Sequence, residues 1–151
     1  MPKYYQGRFT PENPQKYKGD HSNIIYRSGW EFRLMRYLDK HPHVTRWNSE
    51  EIIIPYRSPI DGKMHRYFPD FYVEKVSQGK KESVLIEVKP YAQTQAPKVQ
   101  KTKRGGKPTK KYLNEVKTWG TNSAKWYAAE EYCKDRGWKF QIITEKELGI
   151  S

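Results

Sequence analysis

Two acids and a lysine are the residues of this sequence best suited to chemistry. Asp70 stands in the largely apolar stretch 68–73, and Glu87 and Lys89 are two positions apart in the strand-like run 84–89. Because side chains alternate along a strand, Glu87 and Lys89 would project from one face of a sheet. Convergent carboxylates can hold Mg²⁺, or Mn²⁺ in its place, through hard oxygen ligands. The pattern therefore predicts metal-assisted hydrolysis of a phosphodiester.

Each of these residues has a predicted role. Asp70 and Glu87 are expected to bind the metal, together with the carbonyl of Val88 between the two active side chains. Lys89 would orient or help to deprotonate the attacking water and offset developing negative charge. Either acid alone has an ordinary explanation, as a turn cap or as part of an exposed charge pair. It is their combination, with Pro69 marking a bend before Asp70, that favours a catalytic site.

The elements that must position these residues begin with a helix over residues 28–40. Ser28 can cap this helix, and Glu31 stands three residues on, as in a capping box. Trp30, Leu34, Tyr37 and Leu38 form the predicted buried stripe, and Glu31 lies at its edge. Glu31 therefore has two interpretations: a further catalytic acid and metal ligand, or the capping-box glutamate of its own helix.

Runs rich in β-branched and aromatic residues predict strands at 51–56, 65–75 and 83–89, joined by short turns and so antiparallel. A second helix is expected from residue 122 or 123 to 136, with Gly137 ending it, and a fourth strand over 138–143. The helical crossover would make that strand parallel to its neighbour. The sequence thus predicts an α/β protein with mixed strand directions.

Length and composition restrict the class of protein. The chain has 151 residues and a formal charge of +12, which favours a nucleic-acid partner. One nuclease domain is expected over 1–151, with an extended arm over 1–23. The single Cys133 and four His give no zinc-ligand spacing. No membrane span or organic cofactor is expected, and a reducing cytoplasm is the predicted compartment.

A basic loop is predicted over about 92–112, after the catalytic strand. Gly105, Gly106 and Pro108 oppose helix formation there. A flexible basic loop suits contact with the phosphate backbone of DNA, although a solvated insertion has the same composition. The predicted DNA-binding residues are Lys98, Lys101, Lys103, Arg104, Lys107, Lys110 and Lys111.

The order of the motifs resembles the PD-(D/E)XK nuclease superfamily: helical Glu31, then Pro69-Asp70, then Glu87-Val88-Lys89, then a helix and a last strand. The resemblance implies a restriction-endonuclease-like core, a central mixed four-stranded sheet flanked by helices. It also implies divalent-metal cleavage that leaves 5′-phosphate and 3′-hydroxyl ends. The long gap between Asp70 and Glu87 departs from shorter-gapped relatives.

Two narrower resemblances exist. Residues 27–31 are similar to the helix-start motif of phage Holliday-junction endonucleases and of TnsA-type transposase endonucleases. Residues 3–7, 23–28, 54–59 and 65–73 resemble motifs of the head-completion nucleases of T-even-type phages. That family implies processing of packaged DNA before head-tail joining, in the host cytoplasm during phage assembly or in the virion, with phage head or portal/neck proteins as partners.

Three functions are therefore open. The first is a DNA nuclease, cutting as an endonuclease or an exonuclease, that acts in head completion. The second is a junction-resolving or transposon-end endonuclease, which would usually need a two-fold dimer to cut opposed strands. The third is a noncatalytic DNA-binding structural protein of the phage head that retains the nuclease fold.

Overall fold

The computed structural model describes residues 6–99 and 106–149. The strands, in chain order, are β1 (Gly7–Phe9), β2 (Ile24–Tyr26), β3 (Val44–Ser49), β4 (Ile54–Arg57), β5 (Met64–Tyr67), β6 (Phe71–Ser77), β7 (Lys80–Val88) and β8 (Lys139–Ile143). The helices are α1 (Gly29–Lys40), α2 (Lys110–Arg136) and α3 (Glu145–Leu148), and short 3-10 helices occur at Pro14–Lys16 and Tyr91–Thr94.

A mixed sheet of four strands, in the order β3-β6-β7-β8, forms the centre of the fold. β6 and β7 are an antiparallel hairpin whose tip, Gln78 and Gly79, has positive φ at both residues (51° and 78°). Two such residues in succession fit the tight hairpin turn that matches strand twist. β8 pairs parallel to β7 after the α2 crossover. The predicted mixed four-stranded sheet with flanking helices is confirmed.

The membership of that sheet differs from the prediction in one strand. The expected strand at 51–56 is represented by β4, which pairs with β5 in a separate two-stranded hairpin. The fourth central strand is instead β3, which the sequence pattern did not predict. β3 lies at the sheet edge, where few apolar residues are needed, and only Val44 and Trp47 of its six residues are apolar. The long strand expected at 65–75 is divided at 68–70, where Pro69 cannot extend a ladder.

Helix α1 covers one face of the sheet. Ser28 caps it as predicted, accepting a hydrogen bond from the amide of Glu31 at 3.1 Å. Leu34, Met35 and Leu38 are buried with Phe71 in one core cluster. Tyr37, expected in the buried stripe, is largely exposed instead. The N-terminal start of α1, and not its middle, lies nearest the candidate acids.

Helix α2 covers the other face and is longer than predicted. It begins at Lys110 behind the Thr109 cap, not near residue 122, because the apolar residues of its first half, such as Leu113 and Val116, stay exposed among lysines that are typical of a basic loop. That half is largely exposed, whereas Ala129 and Cys133 pack with Tyr72 and Leu85 of the sheet. Gly137 ends the helix in the left-handed conformation, as predicted (φ 71°).

The segment predicted as an arm lies against the body where it is described. β1 pairs with β2, and Phe9 and Tyr17 contact the ring of Trp47 edge-on. Among the described helices, none has both the length and the apolar character needed to cross a membrane.

Candidate active site

The site forms where β7 ends and β6 begins. The register pairs Phe71 with Ile86, so the preceding Asp70 stands beside Glu87. The Val88 amide donates a hydrogen bond to Asp70 Oδ2 at 2.7 Å, which holds the Asp70 carboxylate at the C-terminal end of β7. The bend at Pro69 releases Asp70 from the regular ladder and allows this contact. Two acids 17 positions apart in sequence therefore become neighbours.

Glu87 is the most enclosed of the candidate residues, with 6% of its surface exposed. Its Oε1 accepts a hydrogen bond from the Tyr67 hydroxyl at 2.7 Å, and its Oε2 lies 3.6 Å from Lys89 Nζ. Glu87 and Lys89 lie side by side on one face of β7, as the alternation of side chains predicted. A buried carboxylate with both oxygens engaged has one orientation, which is what positioning of a reactant or cation requires.

The surroundings of Asp70 and Glu87 disfavour the ionised form of both carboxyl groups. Burial, and then the charge of Glu87, raise the pKa of Asp70 well above its usual value, against the stabilising hydrogen bond from Val88. Burial likewise raises the pKa of Glu87, although Tyr67 and Lys89 oppose the shift. Two carboxylates at one site resist ionising together. A cation bound between them would remove that conflict.

Glu31 approaches the pair from the start of α1. It is half-buried, and burial raises its pKa, while the charges of Glu31 and Glu87 act on each other and Glu31 also acts on Asp70. Its Oε1 accepts a long hydrogen bond, 3.4 Å, from the amide of Arg27. The structure therefore places Glu31 within electrostatic reach of both acids and, at the same time, in a capping position one residue removed from a regular capping box.

Glu50 and Arg27 are parts of the site that were not predicted as site residues. Glu50 has a positive φ of 56°, unusual for a residue other than glycine, and its amide donates to the Asp70 carbonyl at 3.2 Å. Its carboxylate takes two hydrogen bonds from Arg27, at 3.0 and 3.3 Å. This pair ties the start of α1 to the backbone of Asp70. The signal was absent because β3, which delivers Glu50, was itself unrecognised.

Tyr67 and Lys125 were also missed. Lys125 extends from α2 across the rings of Tyr56 and Tyr67, with its Nζ 5.8 and 5.6 Å from their centroids, and its charge lowers the pKa of Glu87. A lysine that interrupts the apolar part of a helix is a weak sequence signal, and its partner strand is more than fifty residues away. Sequence spacing alone does not reveal such a contact.

The donor set fits a hard divalent cation. Among residues 6–99 and 106–149, no three His, Cys, Asp or Glu side chains are grouped closely enough to hold a metal ion by themselves. Mg²⁺ is usually held by one or two carboxylates and retains several waters, so the pair Asp70 and Glu87 is sufficient. Val88, whose carbonyl is the predicted further ligand, lies at the half-buried end of β7 between Glu87 and Lys89.

The predicted DNA-binding residues fall in three places. Lys98 and Lys107 are exposed in irregular segments, and Lys110 and Lys111 occupy the exposed first turn of α2. Lys101, Lys103 and Arg104 lie outside the described residues. The first turn of α2 thus carries basic side chains that were expected in a loop.

Comparison with known proteins agrees with the motifs. The family described as "TnsA-like endonuclease N terminal" matches residues 41–145. The "Head completion nuclease" of Enterobacteria phage T4 is 41% identical to this chain over 144 residues, which cover 95% of this chain and 93% of that protein. The residues matched by the TnsA-like family include β3, the hairpins β4-β5 and β6-β7, and α2. They also include Asp70, Glu87 and Lys89. The chain therefore belongs to the TnsA-like endonuclease family and is a relative of the phage T4 head completion nuclease.

Proposed function

We propose that this protein is a Mg²⁺-dependent DNA nuclease with a restriction-endonuclease-like PD-(D/E)XK core. The observation that carries the proposal is the meeting of Asp70, Glu87 and Lys89 at the end of β7, with the Asp70–Val88 hydrogen bond joining the two motifs. The mixed sheet between α1 and α2 and the family membership support it. Mn²⁺ is expected to substitute for Mg²⁺.

The protein's own residues prepare the reaction. Asp70 and Glu87 would hold the cation with the Val88 carbonyl, and Tyr67 and Lys89 fix the orientation of Glu87. The cation, when bound, supplies electrophilic activation of the phosphate and of the attacking water. Lys89 orients that water and offsets the charge that develops on the phosphate oxygens. Glu31 is assigned as a further acid, acting from the start of α1. The products are 5′-phosphate and 3′-hydroxyl ends.

DNA is the proposed substrate because of the charge and its distribution. The chain carries a formal charge of +12, and the exposed first turn of α2 and the segments before it are basic. Contacts of this kind neutralise phosphates without reading bases. The proposed DNA-binding residues are those predicted from the sequence, Lys98, Lys101, Lys103, Arg104, Lys107, Lys110 and Lys111.

The proposed biological step is processing of packaged phage DNA during head completion, before heads join tails. It rests on the relative from phage T4, whose name describes a head completion nuclease, and on the 93% coverage of that protein. Phage head or portal/neck proteins would then be partners, in the host cytoplasm during assembly or in the virion.

The test compares wild type with Asp70→Ala on supercoiled and linear DNA, with Mg²⁺ or with EDTA. Cleavage by wild type alone, abolished by EDTA, is expected, and loss of closed circles identifies endonuclease cutting. Asp135→Ala, at an exposed position near the end of α2, is the matched control and should cleave normally. Equal inertness of wild type and Asp70→Ala, with DNA binding retained, would favour the noncatalytic phage-head protein.

A second candidate, an endonuclease that acts on junctions or transposon ends, is favoured by the TnsA-like match. Such an enzyme would usually act as a two-fold dimer on opposed strands. Light scattering of the protein with a four-way junction distinguishes the two. A monomer that cleaves linear and branched DNA at equal rates excludes this candidate.

A further inference from the structure

Two exposed aromatic residues stand close to the candidate catalytic residues in the sequence. Phe68 stands two residues before Asp70, and Tyr91 stands two residues after Lys89. Phe68 is 38% exposed and Tyr91 is 41% exposed. Neither ring belongs to the two core clusters. One partly exposed ring therefore lies close to Asp70 in the chain and another close to Lys89, and neither is taken up by the apolar core.

Both rings are accompanied by cations. Lys146 Nζ lies 3.4 Å from the centroid of the Tyr91 ring, and the amide of Tyr91 donates to Glu145 Oε1 at 2.6 Å, so α3 contacts both the ring and the backbone of this residue. The Arg66 guanidinium lies 5.7 Å from the centroid of Phe68. A ring for a base and a cation for the adjacent phosphate are the two elements that bind single-stranded nucleic acid.

We propose that Phe68 and Tyr91 are stacking platforms for unpaired bases on either side of the cleaved bond, so that the preferred substrate is a single-stranded or frayed region of DNA. This rests on the proposed nuclease function and gives its substrate class. In a duplex, each base face is covered by its neighbours, so a side-chain ring reaches a base face only where the strand is unpaired or distorted. Basic residues can contact the phosphates of duplex and single-stranded DNA alike. A preference for single strands would therefore come from stacking on the two rings.

The direct test is the fluorescence of single-stranded DNA containing 2-aminopurine, a base analogue that is quenched on stacking. Measured in EDTA, where cleavage is absent, wild type should quench the probe at defined positions. Phe68→Ala and Tyr91→Ala should each lose quenching at one position and weaken single-strand binding roughly 5- to 150-fold. Binding of a blunt duplex of the same sequence should change less than about twofold.

Conservative variants separate stacking from folding. Phe68→Tyr and Tyr91→Phe keep a ring and should keep both quenching and affinity. Tyr127→Ala removes a ring that is 70% exposed on α2, and serves as the control for loss of an exposed aromatic residue. If the alanine variants quench and bind like wild type, or lose duplex and single-strand binding equally, the platforms do not exist.

The same measurements distinguish this inference from the nuclease proposal. Ring-dependent binding of single strands without any cleavage in Mg²⁺ would uphold the platforms and overturn the nuclease. Metal-dependent cleavage that proceeds equally on single-stranded and duplex DNA, and is unaffected by either alanine variant, would uphold the nuclease and overturn the platforms.

Discussion

Two aspartates in this protein accept hydrogen bonds from backbone amides, but one stabilises the fold and the other lies in the candidate active site. Asp39, in α1, is 1% exposed, and its two carboxylate oxygens accept hydrogen bonds from the amides of Glu12 and Asn13, at 2.8 and 3.0 Å. Its carbonyl also accepts from the side chains of Asn13 and Lys16. The whole cluster ties the N-terminal segment to α1. Asp39 is therefore a buried acid whose two carboxylate oxygens are both hydrogen-bonded within the fold.

Asp70 has one backbone donor, Val88, and two acidic neighbours, Glu31 and Glu87. Burial, and then the charges of these acids, raise the pKa of Asp70, so in the metal-free protein its ionised form opposes folding. Comparing the surroundings of Asp39 and Asp70 separates structural acids from candidate functional ones. An acid surrounded by hydrogen-bond donors stabilises the fold, whereas buried acids that crowd one another mark a candidate functional site.

Asp70→Asn should reduce DNA cleavage more than any other substitution considered for these acids. Removing a proposed metal ligand should lower the rate in Mg²⁺ by roughly 10²- to 10⁴-fold, while the melting temperature is unchanged or higher because a crowded charge is gone. Single-turnover cleavage and thermal unfolding, measured on the same preparation, check both parts. A variant that cleaves normally, or that fails only because it unfolds, would place Asp70 with Asp39 as a structural acid.

The reverse is expected for Asp39→Ala. Loss of two hydrogen bonds from amides to a buried carboxylate should lower the free energy of unfolding by about 3 kcal/mol, while cleavage by the folded fraction is unchanged. Urea unfolding followed by cleavage at low temperature measures the two quantities. Asp135→Ala, exposed on α2, controls for loss of an acid. A large loss of activity without loss of stability would contradict the structural assignment.

The sequence predicted one of these aspartates and not the other, for a physical reason. Asp70, Glu87 and Lys89 belong to short strand motifs, so alternation alone placed Glu87 and Lys89 on one face, and Pro69 indicated the bend. Asp39 is connected to residues 26 and 27 positions earlier in the chain, in a segment without periodicity. Its contacts depend on tertiary packing, which local patterns do not encode.

The same rule explains the errors in the fold. β6, β7 and β8 were predicted because β-branched and aromatic residues mark them, and the end of α2 was predicted because Gly137 marks it. β3 was missed because an edge strand needs few apolar residues, and the first half of α2 because it packs on little of the body. Tyr67, Glu50 and Lys125 reach the site through the elements β5, β3 and α2, and their contacts are visible only once these are assembled.

Glu31 stands between the two kinds of acid. If it serves the reaction, Glu31→Gln should reduce cleavage by between about tenfold and 100-fold, a range typical of residues that support a metal site. Ser28→Ala is the matched control, because it removes the cap of the same helix at a cost of about 1 kcal/mol without removing an acid. Glu31→Ala also removes the cap, which Gln would keep. Full cleavage by Glu31→Ala, with stability lowered as in Ser28→Ala, would make Glu31 a capping residue only.

A smaller effect is expected from Tyr67→Phe, which removes the hydroxyl that holds Glu87 and keeps the ring. Cleavage should fall about tenfold, and a higher Mg²⁺ concentration should be needed for half-maximal rate, because Glu87 loses its fixed orientation. Tyr56→Phe provides the control, since its ring also contacts Lys125. An unchanged Mg²⁺ dependence would mean that Tyr67 stabilises the core and does not orient Glu87.

The smallest effect concerns pH and follows from the sign of the Asp70 shift. The native pKa is raised above the unfolded value of about 3.9, so Asp70 contributes stability at low pH that is lost as the pH rises through the native pKa. Asn cannot ionise, so in EDTA the melting temperature of Asp70→Asn relative to wild type should increase between about pH 4 and neutrality, by a few degrees for each kcal/mol of relieved repulsion. Added Mg²⁺ should reverse the order by stabilising wild type alone. A difference that is constant across this range would show that Asp70 is not a crowded acid, and the contrast with Asp39 would disappear.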